Sequence, residues 1–126
     1  LVNSIAYDDV LLSNMLNGNI FPDQVVYCGV SPLVSINVES SKLEEDILTF
    51  VEKNNHFPYF IVVPKCGVFL IGTSNKEIQI REETLKAAVM IMKLILIDDQ
   101  PNFLSQTETT YLTKWEAEKY RAKSIK

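Results

Sequence analysis

One stretch constrains this chain more than any other. Tyr59-Phe60-Ile61-Val62-Val63 is an unbroken apolar, largely β-branched run with Pro58 before it and Pro64 after it. Such a run between chain-breaking residues reads as a strand buried on both faces. Only Pro64-Lys65-Cys66-Gly67 separates it from a second run, Val68-Phe69-Leu70-Ile71. Four residues cannot hold a crossover helix, so the second strand must return antiparallel, as a hairpin. A hairpin with apolar residues on both faces needs cover, and the rest of the chain must supply it.

The helical patterns are suited to that task. Ser74 or Asn75 can cap a helix from Lys76 to about Ile97, with Glu77 at the matching position for Ser74. Its Leu85, Ala88, Val89, Met92, Ile95 and Leu96 follow the 3.6-residue period. Ile91, Leu94 and Ile97 then widen the stripe until the C-terminal end is apolar nearly all round. A helix of that kind is covered on more than one side. Ser40-Ser41 precedes a second helix, with Ser41 and Glu44 spaced as a capping box and Leu43, Ile47, Phe50 and Val51 on one face. Ser105-Gln106-Thr107-Glu108 is another capping box, opening a last helix with Tyr111, Leu112 and Trp115. Asp8-Asp9 fits the first turn of a short helix that Asn17-Gly18-Asn19 stops. Val25-Val26-Tyr27-Cys28, closed by Gly29, reads as a short buried strand. Leu33 to Val38 alternates apolar and polar residues, as a further strand or extended loop would. The expected core joins Ile61, Val63, Val68 and Leu70 of the hairpin to Leu85, Val89 and Met92 of the long helix. The expectation is an α/β fold: one domain over 1–126, with helices on a small mixed sheet that contains the hairpin.

Charge and signals narrow the function classes. Twelve Lys and Arg stand against sixteen Asp and Glu, a net charge of -4. An acidic chain lacks the basic stripe that binds a phosphate backbone, so no nucleic-acid partner is expected. The most apolar run, Ala87 to Ile97, rises only about 16 Å as a helix, short of a bilayer core, so no membrane span is expected. The two cysteines, Cys28 and Cys66, form no CxxC, and a reducing, cytoplasmic setting is the default. The start at Leu1 carries neither a signal-peptide pattern nor an initiator Met, and a piece of a longer protein is expected.

The catalytic inventory is thin. His56 is the one histidine, and a lone His makes neither HxH nor HExxH. No P-loop, GxGxxG or GxSxG is present. Asp8-Asp9, Glu44-Glu45, Glu82-Glu83 and Asp98-Asp99 are sequence neighbours, which on a helix diverge by about 100° and form no dyad. The unusual local feature is the hairpin turn, where the Lys65 ammonium stands beside the Cys66 thiol, a pairing that favours thiolate. The opposing expectation is a small buried Cys66 that fills space beside Gly67.

Two segments carry a resemblance. Phe21-Pro22-Asp23-Gln24-Val25-Val26-Tyr27 looks like the "TPDH-hydrophobic-Y" segment of the class II aldolase/adducin family. Val62-Val63-Pro64-Lys65-Cys66-Gly67-Val68-Phe69-Leu70-Ile71-Gly72-Thr73-Ser74 looks like that family's "L-x-N-H-G-V-hydrophobic-hydrophobic-G-x-S" hairpin. Within the family, the chain is most similar to rhamnulose-phosphate aldolase-like domains fused to a short-chain dehydrogenase, and Trp115-Glu116-Ala117-Glu118-Lys119-Tyr120-Arg121 shares that likeness. The resemblance spans roughly residues 18 to 121 and implies the C-terminal part of a three-layer α/β/α fold, a homo-oligomer and a zinc cofactor. The implied parent cleaves a ketose phosphate by zinc-assisted retro-aldol chemistry. Cys66 occupies the place of the family's hairpin His ligand, which makes it the metal-ligand candidate, with Lys65 and Gly67 as neighbouring binding candidates. The family's HxH and acidic catalytic residue have no counterpart here, so no catalytic residue is assigned and this chain alone is expected to be inactive. The alternative that the resemblance offers is a non-catalytic interaction domain like the adducin head. Tyr111 and Trp115 are then the candidate interface residues, since aromatics are enriched at protein contacts.

Overall fold

The computed structural model describes residues 1–125, with side chains described through Trp115. Its elements in chain order are α1 (Ser4–Tyr7), α2 (Asp9–Asn17), α3 (Pro22–Cys28), β1 (Leu33–Val34), α4 (Ser40–Asn54), β2 (Phe60–Val63), β3 (Gly67–Leu70), α5 (Asn75–Asp98) and α6 (Gln106–Ile125). The expected mixed α/β architecture with a small mixed sheet is the one adopted. The sheet order is β1-β2-β3, with β1 parallel and β3 antiparallel to β2.

The hairpin forms in the register Phe60↔Leu70, Ile61↔Phe69, Val62↔Val68, Val63↔Gly67. All four residues of β2 are buried, as its apolar run requires. The assignment of faces differs from expectation. Phe60 and Val62 join the main core with Leu85, Ala88, Val89 and Met92 of α5, while Val68 and Leu70 pack at its margin. Side chains alternate along a strand, so Ile61 and Val63 stand on the opposite face. They are buried there, outside that cluster. Ile5 and Ala6 of α1, Leu11 and Met15 of α2 and Cys28 of α3 complete the core.

Val25-Val26-Tyr27-Cys28 is not a strand. It lies in α3, and its physical signals are local. Pro22 occupies the first turn, where its missing N–H costs nothing, and Asp23 faces the helix dipole favourably. The Gln24 side chain accepts from Ile20 N–H at 2.9 Å. Gly29 ends the helix at φ 79°, its N–H donating to Val25 O. A Cβ at Gly29 would come within 2.9 Å of the Tyr59 ring, so both the conformation and the close approach require glycine. Packing of α3 on α5 and α6 outweighs the β-propensity of its valines.

Two of the three proposed caps form, at Ser74 and Ser105, and Asp8, expected within a first turn, serves as a cap as well. Asp8 Oδ1 accepts from Leu11 N–H at 3.0 Å and Ser74 Oγ from Glu77 N–H at 3.1 Å. Ser105 and Glu108 exchange both bonds of a capping box, and these hold the Glu108 carboxyl below its usual range. The Ser41–Glu44 capping box does not form: α4 begins at Ser40 behind Glu39, and no side chain caps it. Strand β1 is also shorter than its alternation predicts, with two residues paired to β2. Helix α4 lies over the sheet face that carries Leu33 and Ser35. Ser35 Oγ donates to Asp46 Oδ2 at 2.6 Å and Asn37 Nδ2 to the same oxygen at 2.9 Å. The Ser35 bond, then the Asn37 bond, keeps the Asp46 carboxyl below its usual range.

Candidate functional site

The residues singled out in sequence meet at the β2–β3 turn. Cys66 N–H donates to Val63 O at 2.9 Å, closing a four-residue turn with Pro64 at its second position. Lys65 holds φ 63°, the left-handed conformation that the third position of a type II turn demands. Its N–H donates to Ala6 O at 2.7 Å, and Tyr7 Oη donates to the Cys66 carbonyl at 3.1 Å. Helix α1 therefore clamps the turn from outside. Asn3 Oδ1 accepts from Val68 N–H at 3.0 Å, and a Cβ on Gly67 would stand 3.3 Å from that oxygen. Gly67 is buried and admits the clamp.

Cys66 is exposed, which corrects the expectation of a buried space-filler. The clamp holds the turn's backbone outward, so its side chains project from the sheet edge. Beside the turn a shallow groove of about 420 Å³ runs between the β3 edge, residues 1 to 3, and Glu82 and Lys86 of α5. Lys86 is paired there to Glu82 at 3.2 Å. Zinc needs several ligands around one point. Among the described residues, no group of three or more His, Cys, Asp or Glu is placed to hold a metal ion. His56 lies before β2 and Cys66 beyond it. The histidine ring is exposed and rests between Phe50 and Tyr59, at 5.7 and 5.5 Å between ring centroids, with Nδ1 2.7 Å from Phe57 O.

The most connected polar side chain is one that the sequence reading passed over. Arg81 is 6% exposed. Its Nε donates to Tyr27 O at 2.6 Å, and its Nη1 donates to Ile71 O and, at 3.1 Å, to Glu77 Oε1. Its guanidinium lies 4.4 Å from the centre of the Tyr59 ring. One cation thus ties the last turn of α3, the exit of β3 and the first turns of α5. A signal was available: position 81 falls one helical turn before Leu85, on the stripe of Ala88, Val89 and Met92. A lone cation on a core stripe calls for buried acceptors. Thr73 Oγ1 bonds Glu77 Oε2 at 2.7 Å, and that bond first, with Arg81 also contributing, holds the Glu77 carboxyl below its usual range. Behind Arg81, burial pushes the Cys28 thiol up to about 12, only partly opposed by the Arg81 charge.

The candidate interface residues lie away from the turn. Tyr111 and Trp115 are on α6, which packs on α3, and Trp115 is 47% exposed. No family model, curated protein or solved structure matches this chain. No helix among the described residues is long and apolar enough to cross a membrane.

Proposed function

We propose that this chain is an interaction and assembly domain. The observation that carries the reading is the outer face of α5. Met90, Leu94 and Ile97 are 55%, 64% and 71% exposed, with Ile91 beside them, directly opposite the buried Leu85, Ala88, Val89 and Met92. Clustered apolar exposure of this kind marks contact surfaces. Tyr111 and Trp115 add aromatic surface elsewhere on the chain. The free Cys28 and Cys66 support a cytoplasmic setting.

Leu94→Glu tests the reading, because Leu94 is exposed and its replacement leaves the core intact. Light scattering over a concentration series should show association of the native chain and its loss in the variant. A native chain that stays monomeric, with no partner sensitive to Leu94, would sink the reading.

The second reading is a portion of a class II aldolase-like lyase that acts on a sugar phosphate with zinc. It is supported by Cys66 and Lys65 projecting from the hairpin turn, where the resemblance puts a metal ligand. Zinc bound at one equivalent, and lost in Cys66→Ser, would favour it over the first.

A further inference from the structure

The two edges of the sheet are treated differently. The β3 edge is guarded. Val68 N–H is taken by Asn3 Oδ1, Lys65 N–H by Ala6 O, and a lysine stands at its end. The β1 edge, once past Pro32, carries no charge and no bulge. Ser35 N–H donates inward to Val62 O at 3.0 Å, so the N–H and C=O groups of Val34 point outward. Beyond Val34 the chain runs to Val38 without a turn or bend, and the alternation persists in its burial: Ser35 buried, Ile36 85% exposed, Asn37 half-buried, Val38 72% exposed. No backbone partner holds the main-chain groups of Val34, Ile36 or Val38 among the described residues. From 24 to 38 the chain has no charged residue. Natural edges are blunted by charge, proline or a bulge, and beyond Pro32 this one has none of these over 33–38.

We infer that the β1 edge pairs antiparallel with the same edge of a second copy, about a two-fold axis at Ile36, giving a continuous six-stranded sheet. The segment is self-complementary under that operation. Ile36 stands opposite Ile36 of the second copy and Val34 opposite its Val38, so three β-branched pairs share one face. A two-fold axis sets every residue near its own copy, which penalises any charge on the strand; this strand has none. Of the carboxylates beside it, Glu39 follows the last paired residue and stands 3.8 Å from the Lys42 ammonium, and Asp46 lies on the other face, already bonded by Ser35 and Asn37. The outer face of α5 fits this operation less well, because Lys86 and Lys93 border it. Pairing also explains why a segment with strand alternation over 33–38 has only two paired residues in the single chain.

This inference deepens the assembly reading and rests on it, but on a separate surface. The experiment is sedimentation velocity on the native chain, Ile36→Lys and Leu94→Glu, with amide exchange at two concentrations. Ile36 is exposed, so its replacement leaves the fold unchanged, which circular dichroism checks. The inference expects a dimer whose dissociation constant rises about tenfold or more in Ile36→Lys, since two like charges then oppose each other on adjoining strands. Amide protection at Val34, Ile36 and Val38 should rise with concentration. Association that Leu94→Glu abolishes and Ile36→Lys leaves unchanged overturns the strand pairing while sparing the assembly reading. A monomer at all concentrations overturns the strand pairing, and overturns the assembly reading too when no partner is sensitive to Leu94.

Discussion

Arg81 provides the most demanding test of how the fold is held. Replacing it with Ala removes a buried cation from Tyr27 O, Ile71 O and Glu77 Oε1 and from the face of Tyr59. Hydrogen bonds to a charged group contribute about 1.5–3 kcal/mol each, and the two carbonyls would be left without this donor. The bond to Glu77 is discounted, because that carboxylate is 40% exposed and water can replace the partner. The cation–π contact adds about 0.5–1 kcal/mol. Taking the low end for the two carbonyl bonds, the loss comes to roughly 3–4 kcal/mol, comparable with breaking a buried charge pair. In a chain of this size that is on the order of 10 °C in Tm. Arg81→Lys keeps the charge but loses the planar fork, which cannot then reach two carbonyls at once, and should cost about half as much. The assay is urea unfolding followed by circular dichroism, with the midpoint read at constant slope. A loss below about 1 kcal/mol in Arg81→Ala, or a more stable variant, refutes the claim that this cation joins three elements.

Other outcomes follow from single residues. Leu85→Ala, fully buried between β2 and the α1–α2 layer, should cost roughly 2–5 kcal/mol, whereas Leu94→Ala should stay within about 0.5 kcal/mol by the same denaturation assay. Lys65→Gly should raise the midpoint by up to about 1 kcal/mol, because glycine adopts φ 63° without the penalty that a Cβ brings. The depressed Asp46 carboxyl contributes stability that is present above its unfolded value, near pH 4, and lost as pH falls through its lower folded value. Asp46→Asn should therefore be less stable at neutral pH and show a shallower acid decline. In a thiol titration of the native chain, Cys66 should react at once and Cys28 only after unfolding. Because the folded Cys28 thiol titrates near 12 rather than 9.0, its contribution to stability is complete below pH 9 and falls as pH rises from there.

Much of the fold was legible from neighbours in sequence. The hairpin needed only an apolar run, two prolines and a four-residue spacing. The caps at Ser74 and Ser105 needed a hydroxyl and a residue three positions on, and Asp8-Asp9 marked a first turn. These rules act within a few residues, and nothing elsewhere in the fold opposes them. The capping rule failed once, at Ser41 and Glu44, where α4 starts uncapped at Ser40; the other failures are at sites where distant packing decides. Val25 to Cys28 have the side chains of a strand, but α5 and α6 offer them a helical seat, with Gly29 fitted under Tyr59. β2 is apolar at all four positions, so its sequence marks neither face, and which of them meets α5 depends on where α1 and α2 lie. The candidate site divides in the same way. Lys65, Cys66 and Gly67 fall together because they are adjacent, but the exposure of Cys66 is set by α1, some sixty residues earlier. Arg81 marked itself as a cation on a core stripe, but its acceptors lie 54 and 10 residues away. Local rules carry no information across such separations, and only the assembled tertiary structure brings those carbonyls to one guanidinium.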